Sequence, residues 1–396
     1  MTAWKPSTDL TIAAALGLGM LAVYLANGRS AGGGDVVPAT LASVALTRGD
    51  GPFLDRFAPL IRDDSGRLPG YAEDSRGRAV SRYPVGPALL AAPLVWPQVR
   101  VLDHARPGWE HQGEITLARC DRMAKNAAAF LTAAAVALSW SLLRAIGLGR
   151  TPALLACLIA ALGSGYWPVA SQALWQHGPA ALCLTAALGL LTSGFEGPIQ
   201  PSSAWVRRRF RRFGRWTGFG TVALETLPQT HGDEVAATNL RAGFSSLARL
   251  SLAGAFSAML VACRPIDAVF SVALGLWVLA YFPRRGRWAF FAPAVIGAFV
   301  LIGYNLYFFD TITGGYAKIE QMHPWAHGTK GTFTGSLIEG GFGTLLSPSH
   351  GLWVYCPWVL VVTVSLAIPS VRRRLWSDCS PIGWLSGSLV PYFALL

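Results

Sequence analysis

Long apolar runs recur from one end of this chain to the other, and short arginine clusters stand between them. They lie at about residues 9–27, 126–146, 151–170, 180–191, 245–263, 268–282, 288–308 and 353–368. A segment that is apolar around its whole circumference must be covered on every side, and a bilayer does that for many segments at once. The 396 residues are 52% hydrophobic and only 14% charged, against about 25% charged in soluble domains. The expected fold class is therefore all-α, a polytopic membrane helical bundle. It has about eight complete spans plus a partial ninth that starts near Leu385.

The arginines set the sides. Arg144 and Arg150, the group Arg207 to Arg215, then Arg284, Arg285 and Arg287, and finally Arg372 to Arg374 all fall in alternate connections. Such clusters mark the cytoplasmic face. Lys5 puts the N-terminus on that face too, and the first run reads as an uncleaved span rather than a signal peptide. The net charge of +12 is thus a topology signal and not a nucleic-acid footprint. Six cysteines, at 120, 157, 183, 263, 356 and 379, form no CxxC pair, which argues against a metal framework or a disulfide scaffold. The expected location is the inner (plasma) membrane, in a multi-pass arrangement with the lipid bilayer as partner. One transmembrane domain takes in 1–370, with a first outer loop at 28–121, a basic inner loop at 194–242 and a second outer loop at 309–352. The remainder, 371–396, is an inner loop and the start of a further span.

The first outer loop concentrates acids and rigid Pro/Gly turns. Val37–Leu46 and Phe53–Ile61 are expected as short helices along the interface. Pro87–Val101, apolar but interrupted by Pro93 and Pro97, is expected as a re-entrant or surface-lying piece. With the sides assigned as above, several polar sets meet at the outer face, and such convergence at the mouth of a helical bundle is characteristic of a site. Asp50 and Asp55 offer carboxylates for general-base work, the plainer reading being a turn cap or a pair with Arg48. Arg82 and Tyr83 follow in Ser-Arg-Tyr-Pro-Val-Gly-Pro. His177 sits in a short turn beside Trp175, either to donate a hydrogen bond to a phosphate oxygen or bind a metal, or as a hydrogen-bonded turn residue. Arg264 suits a phosphate, or pairs with Asp267 three residues on. Asn305, at the outer end of the 288–308 span, and Tyr316, in the second outer loop, close the set. His323 and His327 are four apart, but Pro324 stands between them and no glutamate accompanies them, so no metal site is assigned; a divalent cation stays open as a cofactor.

The order Gly-Asp and Leu-Asp (Asp50, Asp55), Ser81–Pro87, Trp175–Pro179, Arg264-Pro265, Tyr304-Asn305 and Leu346–Leu352 resembles the multi-spanning glycosyltransferases of the GT-C superfamily. The similarity is greatest to bacterial proteins grouped with lipopolysaccharide-core and protein O-mannosyl-type transferases, and it covers about residues 9–370. It implies transfer of a sugar from a polyprenyl-phosphate-linked donor to a glycan, lipid or protein acceptor at the outer face, with inversion. It also implies an acidic base in the first outer loop, at Asp50 or Asp55, and carrier-phosphate contacts at Arg82, His177 and Arg264. Members of the superfamily continue through further spans, so the resemblance implies a C-terminally shortened chain. A transporter or flippase of lipid-linked saccharides, and a non-catalytic membrane protein, are the rival readings. The break at Gly163-Ser164-Gly165 is the feature that alternating access would use.

Overall fold

The computed structural model describes residues 6–30, 32–192, 235–316, 318–319 and 336–347. Eleven α-helices and one β-hairpin are found among them. The helices are α1 (Pro6–Ala26), α2 (Val37–Thr47), α3 (Ala58–Ile61), α4 (Gly86–Ala105), α5 (Glu114–Ala145) and α6 (Arg150–Leu162). After these come α7 (His177–Thr192), α8 (Val235–Cys263), α9 (Ala268–Tyr281), α10 (Arg284–Phe309) and α11 (Leu337–Leu346). Among the described residues, four helices are long and apolar enough to cross a membrane, over Thr8–Ala26, Glu114–Ala145, Ser246–Cys263 and Arg284–Phe309. The protein is thus an all-α chain with several helices of membrane-spanning length. Helices α6, α7 and α9 occupy three further runs expected to cross. The expected eighth span at 353–368 and the run from Leu385 lie outside the described residues, as does the basic segment 194–234.

The bundle packs α1 and α7 on α5, α7 on α8, and α8 on α10. Many helix–helix contacts are made by small side chains (Ala13, Ala129, Ala133, Ala153, Ala161), which let helices approach closely where lipid offers little hydrophobic drive. On its other surface α10 leaves Val295, Ile296, Phe299 and Val300 exposed, as expected of a lipid-facing helix. The ends of the bundle differ. At one end the Asp9 carboxylate, fully buried, meets Arg144 Nε at 3.2 Å and Arg150 Nε at 3.4 Å, and the Trp140 indole donates to the Asp9 carbonyl at 3.0 Å. That clasp fixes the start of α1 against the α5–α6 turn, where the arginines were expected to mark an inner connection.

The opposite end carries the layer formed by residues 28–121. Helix α2 is not a surface helix: Pro38 to Ala45 are all buried. Its residues are small or apolar on every face, and α4 and α5 cover it, so it forms the centre of this layer. Pro87–Val101 is part of one continuous 20-residue helix, α4, which accommodates both Pro93 and Pro97. The prolines stand four residues apart on one side, so the hydrogen bonds they delete are confined to that side. Ion pairs bind the rim of the layer. Arg48 grips Asp103 through both terminal nitrogens, at 2.7 and 2.5 Å, and Glu110 at 2.7 Å, while Arg56 joins Glu110 (2.9 Å) to Asp50 (2.6 Å).

The hairpin is an addition to the expected all-helical chain. Strands β1 (Ala72–Ser75) and β2 (Arg78–Ser81) pair antiparallel with Ala72 opposite Ser81. Arg76 and Gly77 turn between them with φ of 52° and 74°, the left-handed pair that suits a tight two-residue hairpin. The hairpin leans on the end of α10: Ser75 Oγ donates to the Phe308 carbonyl at 2.6 Å and Arg76 Nε to the Tyr307 carbonyl at 2.8 Å.

Candidate functional site

Three chain segments meet where the 28–121 layer closes over the helix ends. The first is Gly33–Val36. Asp35 stands on a 3₁₀ turn, Gly34–Val36, that feeds directly into α2. Pro38, near the start of that helix, suits a position whose N–H has no intrahelical acceptor. The second segment is Arg82–Gly86, delivered by β2. The Arg82 amide donates to the Tyr71 carbonyl at 2.9 Å and the Tyr83 amide to Ser81 Oγ at 3.0 Å, so both side chains leave the sheet in fixed directions. Gly86 then opens α4 against the end of α8. A Cβ there would lie 2.5 Å from the Ala262 carbonyl and the Cys263 nitrogen, so only glycine allows the two backbones this proximity.

The third segment follows α10. The Asn305 side chain donates to the Ile312 carbonyl at 2.8 Å and closes the turn after the helix. Gly315 lies against Arg82, where a Cβ would meet the Arg82 Cα at 2.3 Å. The contact brings Tyr316 beside Tyr83, with ring centroids 6.0 Å apart and planes at 75°. Arg82, Tyr83, Asn305 and Tyr316, four of the six residues expected to bind substrate, line one crevice together with Tyr304 and Pro265. Its volume is about 20 Å³.

Hydrogen bonds extend the site on both sides. The Tyr83 hydroxyl donates to Asp35 Oδ1 at 2.7 Å, and the Tyr316 hydroxyl donates to Gln176 Oε1 at 2.8 Å. Burial, then the hydrogen bond to Asp35, raises the Tyr83 phenol well above its ordinary range, so it remains a donor. Burial likewise raises Tyr316, whose ionisation also senses Arg264, Asp35 and Asp267. His177 heads α7 next to Gln176, within electrostatic reach of Arg264. The two phenols line the crevice, and each leads outward to one partner, Tyr83 to the exposed Asp35 carboxylate and Tyr316 to the Gln176 amide, with His177 and Arg264 near the second. Cys183 and Cys263, buried beneath the crevice, are neighbours but are free thiols.

The remaining expected residues are arranged as follows. Arg264 Nη1 stands 3.7 Å from Asp267 Oδ1, the i, i+3 pair weighed from the sequence. Arg82 donates to Glu73 at 3.0 Å and to the Gly70 carbonyl at 3.1 Å, and Lys318 meets the other oxygen of Glu73 at 2.6 Å. Asp50 and Asp55 do not line the crevice, and neither do Asp35, His177 or Arg264; what separates Asp35 is its hydrogen bond to Tyr83, which does line it. Asp50 is held by Arg56 at 2.6 Å, while Asp55 is held by Arg78 at 2.5 Å and by the Ala79 amide at 2.6 Å. Both aspartates therefore bind the rim and the hairpin to the layer. Among the described residues no three His, Cys, Asp or Glu side chains gather as a metal would require. His323 and His327 lie outside those residues, as does Ser349.

Asp35, Gln176 as a partner of Tyr316, and the Glu73–Lys318 pair belong to this arrangement and were not assigned roles from the sequence. Asp35 carried one signal, a lone acid within a glycine run just after the first span. No family model, no curated protein and no solved structure matches the chain.

Proposed function

We propose that the protein is a membrane glycosyltransferase that moves a sugar from a polyprenyl-phosphate-linked donor to an acceptor hydroxyl at the outer face, with inversion. The observation that carries the reading is the Asp35–Tyr83–Tyr316 group beside Arg264 and His177, at the mouth of an apolar bundle. In this reading Asp35, rather than Asp50 or Asp55, is the base. It takes the acceptor proton as the acceptor oxygen bonds to the anomeric carbon from the face opposite the phosphate. The bond from that carbon to the phosphate oxygen breaks, and its electron pair leaves on the lipid phosphate. Arg264 and His177 stabilise the departing charge, and the Tyr83 hydroxyl orients Asp35. Arg82 acts on the site through Glu73, positioning the Arg82–Tyr83 segment rather than touching phosphate.

An apolar scaffold suits a donor whose long tail must stay in the membrane while its sugar is handled at the surface. The crevice holds about one water at its present volume, so a sugar would enter only as the segment around Tyr316 moves away from Tyr83. The test is transfer of radiolabelled sugar from a panel of polyprenyl-phosphate donors in membranes containing the full chain. Product formation supports the reading. Donor movement across sealed vesicles with no product would favour the flippase reading instead.

A further inference from the structure

We propose that the groove between the C-terminal half of α4 and the head of α5 is a binding site for one anionic phospholipid of the surrounding bilayer. The groove has a volume of about 660 Å³, within the range of sites that hold an organic ligand. Its apolar lining includes Val101, Leu102, Ile115, Ala118 and the buried Met123, and Arg106, Arg119 and Arg122 line it as well. No acid is among the lining residues. Asp103, near the end of α4, is turned to Arg48, and Glu110, in the connecting segment, to Arg48 and Arg56, while Arg119 donates only to the neutral Gln112 at 2.9 Å. Glu114 and Asp121 share α5 but do not line the groove. The result is a basic, apolar-lined channel, complementary to a phosphate with an acyl chain attached.

Its depth fits the same occupant. The 32 residues of α5 extend about 48 Å, well beyond a hydrocarbon core of about 30 Å. The apolar run begins at Asn126, so Arg122 and Arg119 lie one and two turns above it, at about 6 and 10 Å, the level of lipid phosphates. Trp96, Val101 and Ile115 are 50%, 69% and 55% exposed nearby, and Arg100 lies over the Trp96 ring at 5.6 Å, an arrangement suited to the membrane interface. The Gln98–Asn126 hydrogen bond at 2.8 Å lies at the deep end. A free phosphate would use the arginines alone and leave the apolar lining open. The site stands apart from the Tyr83 crevice, about 20 Å away along α4, and does not depend on the function proposed there.

Native mass spectrometry of the full chain in mild detergent tests this, with phosphatidylglycerol titrated against phosphatidylcholine. Phosphatidylglycerol should bind preferentially, and the R106Q/R119Q/R122Q variant should lose that preference, at about fivefold per arginine. Should the triple variant fold poorly, Arg122→Gln alone should lose about fivefold. Ala118→Phe, which fills the groove, should lower occupancy by both lipids. A preference unchanged in the arginine variants overturns the proposal. So does equal displacement of phosphatidylglycerol by millimolar inorganic phosphate from the original protein and from Ala118→Phe, which would show that the chain contributes nothing.

Discussion

Single residues divide here between those that hold the fold and those to which the proposed function gives a chemical role. Asp9 belongs to the first kind. Its carboxylate is fully buried against Arg144, so Asp9→Asn removes the negative charge that faces a buried guanidinium. A loss of about 3–5 kcal/mol is expected, read as a fall in the thermal midpoint in detergent, while an exposed change such as Asp64→Asn leaves the midpoint in place. Tyr83 belongs to the second kind. Tyr83→Phe removes one hydrogen bond to Asp35 and should cost stability only about 0.5–1.5 kcal/mol. Its effect should fall on kcat rather than KM, since the hydroxyl orients the proposed base. A variant with unchanged kcat would remove Tyr83 from the site. Asp35 itself was hard to see in the sequence because its partner is 48 residues away and no local pattern links them. Arg82-Tyr83 was legible as a polar interruption between turn residues, although its geometry depends on a hairpin that was not.

Elements repeat that contrast. The spanning helices were readable because apolar runs and arginine clusters follow from bilayer thickness and charge placement alone. The hairpin escaped because Ala-Glu-Asp-Ser and Arg-Ala-Val-Ser are short, mixed in polarity and joined by Arg-Gly rather than by a strong turn pair. Helix α2 was expected at the interface, yet nothing in a run of small apolar residues distinguishes lipid contact from burial under α4. The layer that contains α2 is bound by Asp103, whose carboxyl is held below the usual range, chiefly by its hydrogen bonds with Arg48. A lowered folded value means that this pair stabilises at neutral pH and up, and that the contribution is lost as pH falls through the folded value. Acid below about pH 4 should therefore loosen the 28–121 layer, read as a loss of amide-exchange protection in α2 relative to the intrinsic rate at the same pH. In Arg48→Met this added loosening with acid should be absent. An equal acid response in both proteins would contradict the assignment. At the crevice, Gly315→Val must push the 310–319 segment off Arg82 and should abolish transfer while leaving membrane insertion intact.

At the scale of the whole molecule, the 28–121 layer and the Asp9 clasp lie at opposite ends of one apolar bundle, and the candidate site lies where the layer meets the ends of α8 and α10. Asp64 is exposed at the tip of that layer. An Asp64→Cys chain should therefore be labelled by a membrane-impermeant maleimide in intact cells, and labelling only after permeabilisation would reverse the orientation. The described native cysteines, at 120, 157, 183 and 263, are buried and should contribute little background. The central proposal is that the working carboxylate is Asp35, hydrogen-bonded to Tyr83, and not those committed to arginines at the rim. The most direct measurement is sugar transfer from a polyprenyl-phosphate donor by Asp35→Asn, Asp50→Asn and Asp55→Asn beside the parent chain, all matched for insertion. The account predicts a fall of about 10²–10⁴ in kcat for Asp35→Asn and near-parental kcat for the other two. Full activity in Asp35→Asn, with loss in Asp50→Asn or Asp55→Asn, would contradict it.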